Sequence, residues 1–285
     1  MSSYRFGRSD DVPLLADDYN RCSLEPSPGE PATTLADLKR DIREINLWCS
    51  SCMVALAGSD PIGILIGAKR PTETLIHRIA VHPDHRRQGH GRHMLASLSA
   101  KLAILGPPRL LAEVPSDRAE ACALFEACGY AVRARYVDFV SAPHGSPRPD
   151  SSLVIPITLE DLIESDVFDR TTPRCWERSL PTLINRRDQL QGLAIASDER
   201  IEAYLLHRNI DEPNGRREIV ALHEADAARG GIALGVLLRH YVHQAERPSW
   251  IPRVSAQEIP FGRLEAWGFR REREYIGYAA ASRPA

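Results

Sequence analysis

Lysine is nearly missing from this chain. Of its 36 basic residues 33 are arginine, and only Lys39, Lys69 and Lys101 are lysine. We read that skew as the codon composition of a GC-rich bacterial genome, without functional content. An excess of one charge sign is missing too: 36 basic residues face 38 acidic ones, for a formal net charge of −2. That excludes the overall basic field that draws proteins to nucleic acid or anionic membrane. Long hydrophobic runs are absent. The longest apolar stretches, around Met53–Ala57 and Ile62–Gly67, fall far short of the ~20 residues of a membrane span. Met1–Asn20 carries several Asp and Arg and no apolar core of a secretory signal. Cysteine is sparse, 6 in 285 residues, too few for a disulfide scaffold, so a reduced cytoplasmic protein is expected. What a core needs is present: 43% hydrophobic and 26% charged residues are ordinary globular usage. The length predicts two domains.

The composition shifts once. Ser141-Ala-Pro-His-Gly-Ser-Pro-Arg-Pro-Asp-Ser-Ser152 holds three prolines, a glycine and four serines, a linker signal without apolar periodicity. It predicts domains over 1–142 and 153–285 with a linker over 143–152. In the first half, Ser3–Arg8 reads as a strand and Thr34–Trp48 as a helix with Leu35, Leu38, Ile42 and Ile45 on one side. Met53–Ala57 and Ile62–Gly67 form a hairpin around Gly58-Ser-Asp-Pro61. Leu75–Val81 is a strand, Gly91–Leu105 a helix, Arg109–Val114 a strand, Glu120–Cys128 a helix and Ala131–Val140 a strand. The second half repeats this order, with a hairpin over Leu193–Ala196 and Ile201–Leu206, a strand Glu218–Leu222 and a helix Ile232–Gln244. Trp267-Gly268-Phe269 mirrors Cys128-Gly129-Tyr130. An internal duplication follows.

The stretch with most chemical content runs from Leu75 to Leu95. A strand ending Ile79-Ala80-Val81 passes a turn at Pro83-Asp84 and enters Arg86-Arg87-Gln88-Gly89-His90-Gly91-Arg92, which opens a helix. Glycines let the backbone approach a ligand closely. The first amides of a helix lack internal partners and sit at the positive end of its dipole. With Arg86, Arg87 and Arg92 around it, this is either a polyphosphate cradle or a solvated basic helix start. A Walker loop is excluded because no Gly-Lys-Ser/Thr follows. A dinucleotide fingerprint is excluded by the missing third glycine.

Arg86-Arg-Gln-Gly89-His-Gly91 resembles the Arg/Gln-x-x-Gly-x-Gly/Ala motif of the GCN5-related N-acetyltransferase (GNAT) superfamily. Ala121-x-x-Leu124-Phe125-x-x-x-Gly129-Tyr130 is similar to that family's late helix, and the element order over 3–140 is similar throughout. The resemblance implies a mixed α/β (α+β) fold, here two tandem domains each with a mostly antiparallel sheet flanked by helices. It also implies acetyl-CoA or another acyl-CoA as co-substrate, with no metal. The pyrophosphate would lie on the amides of Arg87 to Arg92, and the pantetheine along Ile79, Ala80 and Val81, with Phe125 near its end.

Three residues are candidates for proton transfer. His77, two residues before Ile79, is suited by its ordinary titration range to take a proton from an ammonium, or it is a strand histidine with a structural hydrogen bond. Glu113 is a second candidate base, and Glu73 a weaker one. In the family the late helix often carries a tyrosine that protonates the departing thiolate. Here that position is Phe125, so water, Tyr130 or Ser116 would take the role. The family's asparagine at the start of this helix is replaced by Arg118.

Several other signals point elsewhere and are set aside. Trp48-Cys49-Ser-Ser-Cys52 follows a helix and precedes a strand, the reverse of a thioredoxin-type redox site. The histidines His77, His82, His85, His90 and His93 lack Cys or carboxylate ligands at zinc spacing. In the second half Ala228 replaces the first Arg/Gln of the loop motif and Leu264 takes the tyrosine slot, so that half is expected to be a degenerate copy. Trp176, Trp250, Trp267 and the loop Asp211–Gly215 are its candidate acceptor contacts, against plain core packing. The expected partner is a small-molecule primary amine. A pseudo-dimer within one chain is expected, as a monomer or homodimer. The alternatives are an acyl-CoA sensor or scaffold with weakened catalysis, and a protein-amine acetyltransferase.

Overall fold

The computed structural model describes residues 2–23, 32–142, 154–210, 215–225, 232–244 and 246–283. The first half runs β1 (Ser2–Phe6), α1 (Val12–Cys22), α2 (Leu35–Glu44), β2 (Met53–Ala57), β3 (Asp60–Lys69), β4 (Glu73–Val81), α3 (His90–Leu105), β5 (Arg109–Pro115), α4 (Ala119–Ala127) and β6 (Ala131–Ser141). The second runs β7 (Val154–Ile157), α5 (Leu159–Glu164), α6 (Leu180–Asn185), β8 (Gln191–Ala196), β9 (Ile201–Asn209), β10 (Arg217–Glu224), α7 (Ile232–His243), β11 (Ser249–Ser255), α8 (Phe261–Ala266) and β12 (Arg270–Ala281). The expected linker, 143–152, lies outside the described residues. Among the described residues no helix is long and apolar enough to cross a membrane.

Two compact units form. One is Met1–Ala134 with Ile276–Ala285, the other Arg135–Tyr275. Each therefore takes its last strand from the far half of the chain. The end of β12 brings Tyr278 into the first unit's core. Residues 136–141 of β6 pair with β11 in the second, from Tyr136↔Ser255 to Ser141↔Ser249. In the first unit β1, β2, β3 and β4 are antiparallel neighbours and β5 joins β4 in parallel. In the second, β7, β8, β9 and β10 are antiparallel and β11 joins β10 in parallel. The same architecture occurs twice.

Local chemistry explains the elements near the site. Arg5 on β1 donates twice to Asp11, at 2.5 and 3.0 Å, which ties the strand to the start of α1. α2 opens with a reciprocal cap in which Asp37 N donates to Thr34 Oγ1 and Thr34 N to Asp37 Oδ2. It ends at Glu44, short of the expected Trp48, because Asn46 takes φ 61° and Leu47 bridges to Ala68 of β3. Its buried side is Leu38, Asp41 and Glu44, so two carboxylates stand on the inward face. α4 and α8 end alike. Gly129 and Gly268 adopt φ 81° and 90°, and the amides of Tyr130 and Phe269 donate back to Phe125 O and Leu264 O at 3.1 and 3.0 Å. This is the Schellman ending, which needs a left-handed residue. It accounts for the mirrored Gly-aromatic pairs.

Apolar side chains cover both faces of the first unit's sheet. α3 and α4 pack on one face through Met94, Leu95, Leu98, Leu102, Cys122 and Phe125. On the other face, α1 and α2 supply Leu15, Ala16, Cys22 and Leu38. Cys52 is fully buried there, and burial pushes its thiol up to about 12, the opposite of a reactive redox cysteine.

Candidate functional site

The site begins where two parallel strands part. β4 and β5 pair only from Glu73↔Arg109 to Ile76↔Ala112. Beyond Ile76, β4 keeps its β3 partner, with Leu65↔Ile79, Ile64↔Ala80 and Gly63↔Val81. The β5-facing edge of Ile79–Val81 thus carries no ladder, which leaves backbone groups other than the Arg86-bound Val81 O open for an extended ligand. At the opening the register slips: Ile66 faces Arg78 and the next residue, Gly67, faces Ile76. His77 is the extra residue of a β-bulge, a device that re-aims a side chain.

Past β4 the chain makes a short turn over Pro83–His85 and reaches α3. Gly89 caps that helix at φ 88° and ψ 0°, with no side-chain cap. Arg87 is also left-handed, φ 63°. Such left-handed turns aim successive amides into one concavity, an anion nest. A Cβ at Gly89 would meet nothing within 4 Å, so the space before the helix end is open. Gly91 serves differently. A Cβ there would lie 3.0 Å from Leu124, so this glycine lets α3 approach α4 and makes no room for a ligand.

The side chains of the loop divide. Arg87, Gln88 and Arg92 are exposed, and no acidic partner for Arg87 or Arg92 occurs among the described residues. Arg86 is tethered, its Nε donating to Val81 O at 3.2 Å. Gln88 Nε2 donates to Asp84 O at 3.2 Å. The His90 side chain turns away from the cradle. Nδ1 shares a 2.6 Å hydrogen bond with Tyr4 of β1, and burial, then His85 and His93, lowers its titration. Only the amide of His90 is positioned as a cradle group.

The other expected positions spread out. Ile79 and Val81 pack toward the α3 and α4 core, and Ala80 toward α1. Glu113 is half-buried on β5, one residue past the last paired position. Phe125 is a core residue, 5.1 Å from the Tyr130 ring and stacked at 5.8 Å on Tyr278. The Tyr130 hydroxyl is sealed from solvent with no hydrogen-bond partner, and burial raises its titration. A phenol so enclosed does not meet a departing thiolate in this conformation.

Sequence reasoning missed the surroundings of His77. Its Nε2 lies 3.5 Å from Asp41 Oδ2 of α2 and accepts from Arg78 Nε at 3.3 Å. Arg78 also donates to Thr33 Oγ1 and lies 5.2 Å above the Tyr19 ring of α1. Thr33 is fixed in turn by Asn20, through bonds of 2.8 and 2.9 Å. The available signal was an aspartate at a core-facing position of an amphipathic helix, three residues after Leu38 and four before Ile45.

The second unit has the same fork and bulge with other contents. β10 pairs with β11 only at Arg217 and Glu218. The register then slips between Ile219 and Ala221, so the bulged residue matching His77 is Val220. Arg178 is fully buried; its Nε donates to Val220 O at 3.1 Å, and its two terminal nitrogens donate to Glu258 at 2.7 and 2.6 Å. Near the start of α7, Leu234 N donates to Glu224 Oε1 at 3.3 Å. A carboxylate of the chain itself thus sits against that helix N-terminus. The loop positions 226–231 and 211–214 lie outside the described residues. Trp176 is core, Trp250 is half-buried, and Trp267 closes on Gly235. Among the described residues no group of three His, Cys, Asp or Glu gathers to hold a metal.

Two units of one mixed α/β architecture, the first with a glycine-capped anion nest beside a forked strand pair, define the fold class. Residues 13–130 match the profile of the Acetyltransferase (GNAT) family, and the whole chain has the fold of solved GNAT structures, a tandem one among them. In fold it is similar to a GCN5-related N-acetyltransferase from Sphaerobacter thermophilus, at TM-score 0.70 and 18% identity over 100% of this chain and 96% of that one. It is also similar to a tandem GNAT protein from the clavulanic acid biosynthesis pathway, at TM-score 0.65 and 15% identity over 100% of both. A third likeness is to a crystallised Pyrococcus horikoshii protein described as "a putative acetyltransferase", at TM-score 0.61 and 12% identity over 99% of this chain and 90% of that one. No curated protein matches the chain. Members of this family transfer an acetyl group from acetyl-CoA to an amine.

Proposed function

We propose that the chain acetylates a primary amine of a small molecule, in a ternary complex, at a site in its first unit. The observation that carries this reading is the uncapped start of α3, with Gly89 facing open space beside exposed Arg87 and Arg92. It suits the pyrophosphate of acetyl-CoA, which amides of a helix end and arginines bind together. The open edge of Ile79–Val81 suits an extended, amide-bearing pantetheine. His77 takes a proton from the acceptor ammonium; the freed amine attacks the thioester carbonyl, an N–C bond forms, the C–S bond breaks with CoA leaving as thiolate, and the second proton shed by the nitrogen passes through water to that thiolate. The second unit is proposed as a degenerate copy. Its helix end is occupied by Glu224 and its fork is braced by Arg178 and Glu258. In sequence terms the copies are 1–142 and 153–285, and the proposed setting is the cytoplasm.

Burial of Phe125 and of the Tyr130 hydroxyl favours a second reading, an acyl-CoA sensor with weakened catalysis. Calorimetry with acetyl-CoA should give one site per chain; two equal sites would reject the degenerate copy. Thiol release over a panel of amines separates enzyme from sensor. Turnover by His77→Ala with an unchanged pH profile would remove His77 from its role.

A further inference from the structure

The bulge places His77 between two groups that want opposite things from the same nitrogen. Arg78 Nε, at 3.3 Å, offers a proton to Nε2; Asp41 Oδ2, at 3.5 Å, can only accept one. Asp41 is 8% exposed, and its Oδ2 accepts no hydrogen bond from any described residue. Arg78 Nη2 stands 3.8 Å from the same oxygen, an ion pair beyond hydrogen-bond reach, and a buried carboxylate oxygen without a hydrogen bond costs free energy unless some state of the protein supplies its donor. Imidazolium is that donor. With both ring nitrogens protonated, Nε2–H can no longer accept from Arg78, and the acceptor beside it is Asp41 Oδ2.

We propose that Asp41 is the positioning residue for His77: it receives Nε2–H and steadies the imidazolium formed when the ring takes the acceptor's proton. This rests on the reading of His77 as base. No bond other than the N–H and hydrogen bonds changes in this step. The ring gains the ammonium's proton, the amine keeps its lone pair for attack, and the carboxylate stays ionised. The ring's charged neighbours are Asp41 of α2 and Arg78 of β4; Tyr19 of α1 lies against Arg78, Asp37 stands one turn before Asp41, and on β5 Glu113 follows the last residue paired with β4. Asp37 is tied into the helix cap and to Arg40 at 2.9 Å. Arg78 opposes a positive ring, which makes the Asp41 charge the one that offsets it. The second unit provides an internal comparison. There the bulged residue is Val220 and Arg78 is matched by Ala221, so the bulged position itself carries no proton-accepting ring.

The test is an NMR titration of the His77 ring in the full chain without ligand, its signal identified by loss in His77→Gln. The expected result is that Asp41→Asn moves the midpoint to lower pH while Asp41→Glu keeps it near the parent's, with thermal melting confirming that both fold. An unchanged midpoint in folded Asp41→Asn overturns the proposal, as does an equal displacement in Asp41→Glu. Thiol release from acetyl-CoA with n-butylamine gives the second readout. The acid limb of kcat/KM should move to lower pH in Asp41→Asn and its plateau should fall roughly tenfold or more. A merely structural role would lower the plateau and leave the limb in place. If the ring titration moves but His77→Ala keeps the parent pH profile, the pair stands and the base reading fails.

Discussion

At the scale of single residues, two glycines that look equivalent in a motif have separable duties. Gly89 is left-handed with open space beside it, whereas Gly91 is pressed against Leu124. Gly89→Ala forces an L residue into the left-handed region at a cost of about 1–2 kcal/mol. It should keep the fold and weaken acetyl-CoA binding at least tenfold by calorimetry. Gly91→Val should do the reverse, lowering the melting temperature through overpacking of about 1–3 kcal/mol. A second residue-scale expectation concerns His207 on β9. Its ring is buried against Tyr241 at 4.7 Å, and burial, then Arg217, lowers its titration to about 4. The unfolded chain protonates this histidine near pH 6.5 while the folded chain does not, so stability is full above that pH and falls as the pH drops toward 4. The loss between pH 6.5 and 5 should be about 2 kcal/mol, read by urea unfolding. His207→Phe, which keeps the packed ring, should flatten that slope. Neither duty was legible in the sequence, because φ angles and burial are properties of neighbours far along the chain. Asp41 shows the same limit: its spacing after Leu38 marked an inward position, but only the bulge in β4 brings His77 to it.

At the scale of elements, most of the architecture was legible. Apolar spacing located α3, α4 and α7 to within about a residue, the ordinary uncertainty of helix ends. Those signals are local, so a linear reading captures them. The fork was not legible, since strand pairing depends on register between segments some 35 residues apart. It is also where the two units diverge. In the second, Arg178 spans from β10 to Glu258, whose side chain is 2% exposed. Arg178→Ala removes both hydrogen bonds of that buried carboxylate and leaves it only Arg174, at 3.5 Å; it should destabilise by up to about 3–5 kcal/mol, whereas replacing both residues by apolar ones of similar volume should be milder. Denaturant unfolding checks the difference. One site of unaltered acetyl-CoA affinity is expected to remain in the double variant, because the brace belongs to the second unit and the proposed donor site to the first.

At the scale of the whole molecule, duplication and folding do not follow the same boundary. The sequence pattern predicts a division at the proline-rich stretch, whereas the compact units are 1–134 with 276–285 and 135–275. The reason lies in which strand finishes each sheet. Tyr278, near the chain's end, stacks on Phe125 and donates to Glu126 at 2.9 Å; Ser282 N donates to Pro108 O at 2.8 Å. These close the core beneath α4, the helix that Gly91 packs against. A chain cut after Ala142 therefore keeps every residue of the nest and loses the strand that supports it. It should expose the apolar faces around Phe125 and Tyr130 and lose acetyl-CoA binding, although no residue of the nest has been removed. Truncation after Tyr275, which spares both repeats apart from ten residues, should have the same effect on binding. If either fragment bound acetyl-CoA with the full chain's affinity, the exchanged strand would be dispensable and the duplicated halves would be independent domains after all. Calorimetry on the two fragments decides between these outcomes, and the expected loss in both would mean that the second copy is retained because the first cannot complete its own core.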